Sequence, residues 1–415
     1  MHHEARWHGG ETPAGARAAH SALEVGTAFL RLGLISFGGP IAHIGYFRDE
    51  FVLRRRWLDD QTYADLVALC QFLPGPASSQ VGFSIGLMRA GYRGAIAAWL
   101  GFTLPSAIAL VLFAYGAAAL MGPIGMGLLH GLKLVAVAIV AQAVLGMARS
   151  LCPDRQRASI AALGLVLVSS STSSLAQVAV IVLGAVAGLL FCRTAASVAI
   201  APMPMPVSRR VGIAALTMFT VLLVALPVLC RVGPHPDVAL FDAFYRSGAL
   251  VFGGGHVVLP LLRDAFVTSG WVTDNTFLEG YSAAQAVPGP LFTFAAYLGA
   301  VAGPTPHGVA GALLGLIGIF LPGMLVLVGV MPFWQTLRSR SAAPAAMRGI
   351  NAAVVGLLGA AFYSPVWTSS INSTADLSVA LIGFVALTAW QARPLWVVIL
   401  GALAGIALAL IRIGW

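Results

Sequence analysis

The chain repeats itself. Around Phe29 it reads Phe29, Gly33, Phe37-Gly38-Gly39 and Arg48-Asp49; around Phe244 it reads Phe244, Gly248, Phe252-Gly253-Gly254 and Arg263-Asp264, each match displaced by 215 residues. The register then persists with small gaps. At a displacement of 214, Trp57 meets Trp271, Asp60 meets Asp274, Asp65 meets Glu279, Gln71 meets Gln285, and Pro74-Gly75-Pro76 meets Pro288-Gly289-Pro290. Leu104-Pro105 meets Leu321-Pro322 at 217, and Gly131-Leu132-Lys133 meets Gly349-Ile350-Asn351 at 218. One Phe-Gly-Gly or Pro-Gly-Pro carries little information, but the ordered set implies duplication.

The solvent of this duplicated unit is a bilayer. Hydrophobic residues make up 59% of the chain and charged ones 9%, against about 25% charge in an average soluble domain. Runs such as Gly94 to Tyr115, Val211 to Cys230 and Val309 to Met331 each match the roughly 20 apolar residues of a spanning helix. An all-α polytopic membrane protein follows. The net charge of +9 is spread as arginines between apolar runs, which marks topology rather than a nucleic-acid surface. No HExxH, Walker A, GxGxxG or GxSxG motif occurs. Cys70, Cys152, Cys192 and Cys230 form no CxxC pair, so they are expected as buried packing. Neither an enzyme nor an ATP-driven pump is expected, and no cofactor or metal. Residues 1–21 lack a signal-peptide core and are expected as a flexible cytoplasmic tail.

Duplicated halves are a common plan of secondary transporters, with the substrate near the bilayer midplane where the halves meet. The segment 48–60 carries Arg48, Arg54, Arg55 and Arg56, and the next loop carries Arg89 and Arg93; the equivalents, 263–279 and 303–307, carry only Arg263. The positive-inside rule then predicts copies in inverted topology. The expected organisation is a first repeat over 22–193, a linker over 194–236 with one inverting transmembrane helix, and a second repeat over 237–415. The tail, the triple arginine and the Arg89–Arg93 loop all read as cytoplasmic. Each segment between them must therefore enter and leave on one side, as a re-entrant helical hairpin broken at Phe37-Gly38-Gly39-Pro40 or at Pro74-Gly75-Pro76. Hairpins are expected again over 238–262 and 279–302. The competing account makes every hairpin a full span, thirteen helices in all, and puts the triple arginine outside.

Broken helices suggest an anion site. Pro40 and Pro76 would open the returning helices, turning free N–H groups and dipole ends toward the membrane centre. Gly38 and Gly39 would admit an oxyanion to the backbone, and Ser78, Ser79 and Gln80 would add donors. Gly253, Gly254, Gly255 and the turn Pro288-Gly289-Pro290 would contribute from the other half. The alternative is that these glycines and prolines merely permit close helix packing. Lys133, opposite Asn351 in the repeat, and Arg31 are intramembrane charges that could face the anion, and Asp65 and Glu279 are aligned candidates for a coupling proton. Interfacial snorkelling is their plain alternative. His43 and His256 adjoin the turns without aligning, and ordinary packing is expected of them.

The segments Phe37-Gly38-Gly39-Pro40-Ile41-Ala42-His43, Gln71 to Pro76, Gly101-Phe102-Thr103-Leu104-Pro105 and their second copies resemble the chromate ion transporter family in its long, two-domain form, over nearly the whole chain after residue 21. The resemblance implies proton-driven export of chromate across the bacterial inner membrane, an antiporter conferring chromate resistance. Chromate and the lipid bilayer are the implied partners, with sulfate as competitor, no nucleic acid, and a homodimer left open. Sulfate uptake or exchange, or an anion channel, remains the alternative.

Overall fold

The structure, a computed structural model, describes residues 21–36, 39–117, 122–170, 174–192, 207–233, 235–252, 257–303, 306–338 and 342–413. Among these residues it is helical throughout, with no strand. In the first repeat the helices are α1 (Ala22–Ile35), α2 (Gly39–Arg48, extended by a π-helical turn, Asp49–Arg54), α3 (Asp60–Phe72), α4 (Ala77–Ala117), α5 (Pro123–Leu151), α6 (Arg155–Ser169) and α7 (Ser174–Phe191). After α8 (Arg209–Val232) come α9 (Pro236–Ala249), α10 (Val258–Phe266), α11 (Asp274–Ala286), α12 (Phe294–Val301) and α13 (Gly308–Val330). The chain ends with α14 (Trp334–Arg338), α15 (Ala342–Ala361), α16 (Thr368–Ser370), α17 (Thr374–Thr388) and α18 (Pro394–Ile413). Six of the described helices are long and apolar enough to cross a bilayer.

The short helices lie where the sequence breaks. α1, α3, α9 and α11 hold 14, 13, 14 and 13 residues. At 1.5 Å per residue each is about 20 Å long, less than the roughly 30 Å of a hydrocarbon core. Each is one arm of a hairpin. Phe29 on α1 meets Phe47 at 5.5 Å and Phe51 at 4.8 Å, which folds α1 against α2 across residues 37–38. The repeat-equivalent pair, Phe244 and Phe266, meets at 4.6 Å. Likewise Tyr297 Oη donates to the Thr276 carbonyl at 3.1 Å and Phe294 packs on Phe277 at 5.1 Å, so α12 returns along α11 after Pro288-Gly289-Pro290. α4 is itself bent back at Ala90 and Gly91, the latter at φ 63°. Its arms touch at Gly86 and Gly94, where a Cβ on either would strike the other's carbonyl oxygen; Gly299 and Gly311 repeat that contact between α12 and α13.

The loops between hairpins repeat equally well. Arg48 pairs with Asp60 at 2.8 Å and Arg263 with Asp274 at 2.9 Å, while Trp57 and Trp271 each donate their amide to the carbonyl of Phe51 or Phe266. Asp59 caps α3 and Thr273 caps α11. Hydrogen bonds from the Thr62 amide and hydroxyl hold the Asp59 carboxyl below the ordinary carboxylate value. Both arginine pairs are partly exposed, so the coupling within each should be small. A double-mutant cycle of Arg263→Ala with Asp274→Ala, read by thermal stability in detergent, should give a coupling of about 0.2–1 kcal/mol.

The two sequence repeats are not separate bodies, because their later helices are exchanged. α5 packs on α17 and α18 of the other repeat, and α15 packs on α6 and α7. Small residues make both contacts close. A Cβ on Gly131 would meet the Gly401 backbone of α18, and one on Gly349 would meet Gly184 and Gly188 of α7, the usual way in which membrane helices gain packing. The linker helix α8 lies against α9 and α13 and is otherwise peripheral.

Candidate functional site

The Pro-Gly-Pro turn of each half is bonded into the other half. Gly75 N–H donates to the Val251 carbonyl at 2.7 Å, and Gly289 N–H donates to the Ser36 carbonyl at 2.9 Å. Ser36 and Val251 are repeat equivalents, as are Gly75 and Gly289, so the two bonds are one contact made twice about a local two-fold. The same reciprocity holds one step further along. A Cβ on Gly75 would lie 2.8 Å from Gly323 Cα, and one on Gly289 would lie 2.9 Å from Ser106 Oγ. Ser106 and Gly323 each follow a Leu-Pro pair at equivalent positions. Both turn glycines hold positive φ, 115° and 106°, a region essentially reserved for glycine.

Gln80 fastens this crossing. Its Nε2 donates to the Pro74 carbonyl at 2.9 Å and to the Gly323 carbonyl at 2.8 Å, the second bond running between the halves. Its amide donors are thus spent on the backbone, and the atom it leaves unpartnered is Oε1, an acceptor. The turn amides of Gly75 and Gly289 are also engaged rather than free. Gln80, Gly75 and Gly289 therefore build the crossing with the donor groups that were expected to meet an anion.

Free donors lie next to it. Pro76 precedes α4 and Gln80 N–H is the first to bond back, to the Pro76 carbonyl at 2.9 Å, which leaves the amides of Ala77, Ser78 and Ser79 without intrahelical acceptors. Ser78 and Ser79 are buried. Ser79 Oγ has no partner, and neither do Ser36 Oγ, His43 Nε2 and Thr103 Oγ1, among the described residues. His43 Nδ1 lies 3.3 Å from Ser78 Oγ, and its ring stands edge-on to Phe102 at 5.1 Å. Phe102 in turn adjoins Gly289 through its carbonyl oxygen. One contiguous cluster thus joins Ser36, His43, Ser78, Phe102 and Gly289, with Ser79 the next residue after Ser78 on α4. The second half is different: Thr293, equivalent to Ser79, turns both its amide and its hydroxyl onto the Pro290 carbonyl, at 3.0 and 2.7 Å. At this pair of equivalent positions, the open hydroxyl is the one in the first half.

Other expected residues lie elsewhere. Lys133 donates to Asn275 Oδ1 at 3.1 Å, and Glu279 feels its charge; Asn275 is in the first turn of α11, so Lys133 stands about 20 Å from Gly289 along that helix. Arg31 is exposed on α1. Asn351 is on α15 with Oδ1 buried and unpartnered. Asp65 is buried on α3 and Glu279 half-buried on α11. Gly39 and Pro40 open α2, with Gly39 at φ 75°. Gly38, Gly253, Gly254, Gly255 and His256 lie outside the described residues. Ser36, His43 and Phe102 are members of the cluster that were not among the expected site residues; the signal for His43 was its place three residues after Pro40, from which its ring reaches Ser78. No three or more His, Cys, Asp or Glu side chains come together as a metal site among the described residues, and all four cysteines are free thiols.

This arrangement defines a class: a multi-pass membrane transporter of two homologous halves whose broken helices meet at a shared polar centre. The chain belongs to the chromate transporter family, whose sequence profile matches residues 23–189 and again 238–406. It is 27% identical over 386 residues to a chromate transport protein of Pseudomonas aeruginosa, covering 91% of this chain and 90% of that one. It is 26% identical over 399 residues to a probable chromate transport protein of Synechococcus elongatus, covering 94% and 96%. An uncharacterized transporter of Bacillus subtilis is 32% identical over 172 residues, 40% of this chain but 84% of its own length, so about one repeat accounts for most of a whole relative. No solved structure matches the chain.

Proposed function

We propose that this protein is a secondary transporter that exports chromate from the cytoplasm through the bacterial inner membrane, giving chromate resistance. The observation that carries the reading is the set of buried, unpartnered polar atoms around the start of α4: Ser79 Oγ on the helix itself, and Ser36 Oγ and His43 Nε2 in the cluster that meets Ser78 and Gly289. A helix N-terminus with open amides favours an anion through its donors and its dipole. A tetrahedral dianion accepts several hydrogen bonds at once, which suits converging hydroxyl, imidazole and amide groups. The family match supplies chromate as the specific oxyanion.

Inverted halves fit the charge bias of the loops and the reciprocal turn contacts, with the two-fold axis in the membrane plane. With the interior negative, a dianion gains roughly 4.6 kcal/mol per 100 mV on leaving, twice the unit-charge value. Exchange against protons through Asp65 or Glu279 would add to that gradient. The test is uptake of labelled chromate into everted membrane vesicles. Respiration should drive accumulation that an uncoupler abolishes and excess sulfate reduces, and Ser79→Ala should raise KM about tenfold, as expected for loss of a hydrogen bond to a charged group. Absence of energised accumulation in wild-type vesicles would contradict export.

A further inference from the structure

A second polar feature opens beside the first Phe-Gly-Gly break and belongs to none of the motifs. It is a cavity of about 850 Å³ between the ends of α1 and α2 and the ends of α5, α17 and α18, lined by Leu34, Ala42, Gln142, Gly146, Arg149 and Arg393 among others. Arg149 and Arg393 are 244 positions apart in sequence yet face one space, both exposed. No Asp or Glu lines the cavity, and neither arginine is ion-paired among the described residues. The start of α18, at Pro394, also borders it, adding the positive end of a 20-residue helix. The equivalent place in the other half is filled. There Trp367 stands for Arg149 and Leu250 for Ile35, at the displacements of 218 and 215 found in the sequence, and both pack into one apolar cluster, with Phe362 edge-on to Trp367 at 5.9 Å.

We propose that the Arg149–Arg393 cavity is a capture site for a doubly charged oxyanion, the antechamber from which it reaches the α4 end, in a state sealed on the opposite face by the Trp367 cluster. The proposal rests on the transport reading given above, which supplies the dianion. Two fixed positive charges in a cleft with no countercharge concentrate dianions and raise the rate of encounter, by about 10-fold or more. Guanidinium groups also pair with oxyanions through two parallel N–H bonds.

Two readouts test it. In a background with all four cysteines replaced, Gly146→Cys places a thiol in the cavity, at a position where a Cβ meets nothing within 4 Å. In everted vesicles an anionic methanethiosulfonate should modify this thiol about fivefold faster than a cationic one, relative to a free thiol. Adding Arg149→Gln and Arg393→Gln should remove that preference. In the transport assay the same double substitution should raise the KM for chromate about tenfold with Vmax largely kept, and Arg149→Lys with Arg393→Lys should restore most of it. Equal modification rates in the parent, or a preference and KM that survive loss of both arginines, would overturn the proposal. A wild-type protein that carries no chromate would instead refute the substrate reading, and the thiol readout would still decide the cavity.

Discussion

Gly75→Ala should abolish transport, and Gly289→Ala should do the same from the other side of the crossing. Both residues hold φ above 100°, which costs a residue with a Cβ about 1–3 kcal/mol. Neither has room. The new methyl carbon at position 75 would sit 2.8 Å from Gly323 Cα, and the one at 289 would sit 2.9 Å from Ser106 Oγ and 3.2 Å from the Phe102 carbonyl. Overpacking of this kind costs about another 1–3 kcal/mol. Either the turn shifts and loses its hydrogen bond to the opposite half, or the halves separate; both disrupt the centre. Labelled-chromate uptake should fall below about a tenth of wild type, since each 1.4 kcal/mol is a factor of ten. Gly45→Ala is the control, because a Cβ there meets nothing within 4 Å on an ordinary stretch of α2, and uptake should be unchanged.

Gln80→Leu is the second large effect. It removes both donors, that to the part-buried Pro74 carbonyl and that to the Gly323 carbonyl of α13, each bond contributing about 0.5–1.5 kcal/mol. Because one bond joins the halves, the loss should appear in the assembly of the whole protein. In detergent the variant should show a thermal transition lower by several degrees, together with reduced transport. Gln80→Glu should be no better, since it replaces the amide donors with an acceptor facing two carbonyls. A variant with wild-type stability and wild-type transport would show that the staple contributes nothing.

Much of this was legible in the sequence, because the features that break a helix are local. The expected runs Val211 to Cys230 and Val309 to Met331 correspond to α8 (Arg209–Val232) and α13 (Gly308–Val330). The breaks at Pro74-Gly75-Pro76 and Pro288-Gly289-Pro290 fall between α3 and α4 and between α11 and α12, as proline and positive-φ glycine require. What stayed hidden was pairing at long range. Gly131, Gly349 and Gly405 mark faces that can pack closely, but nothing local says that α5 packs on α18 rather than on α7. The same limit hid where Lys133 would pair. Its depth in an apolar run pointed to the centre, whereas the side of α5 it occupies turns toward Asn275. It also disguised Gln80, whose two donors are consumed by carbonyls six and 243 positions away.

The equivalent helix ends of this duplicated chain differ in structure. Thr293 folds its hydroxyl back onto Pro290, while Ser79 in the equivalent place has nothing to bond. The arginine-lined cavity in one place and the Trp367 cluster in its repeat equivalent differ in the same way. A transporter needs such a difference, since a site open equally to both sides would be a pore rather than a carrier.

The most direct test is an electron cryo-microscopy map of the protein in lipid nanodiscs with chromate present. The account predicts density for a tetrahedral anion within hydrogen-bonding distance of Ser79 Oγ and the His43 ring, at the start of α4, with Gly75 and Gly289 still bonded to Val251 and Ser36. Density for the anion at Lys133, or halves whose Pro-Gly-Pro turns do not touch, would contradict it.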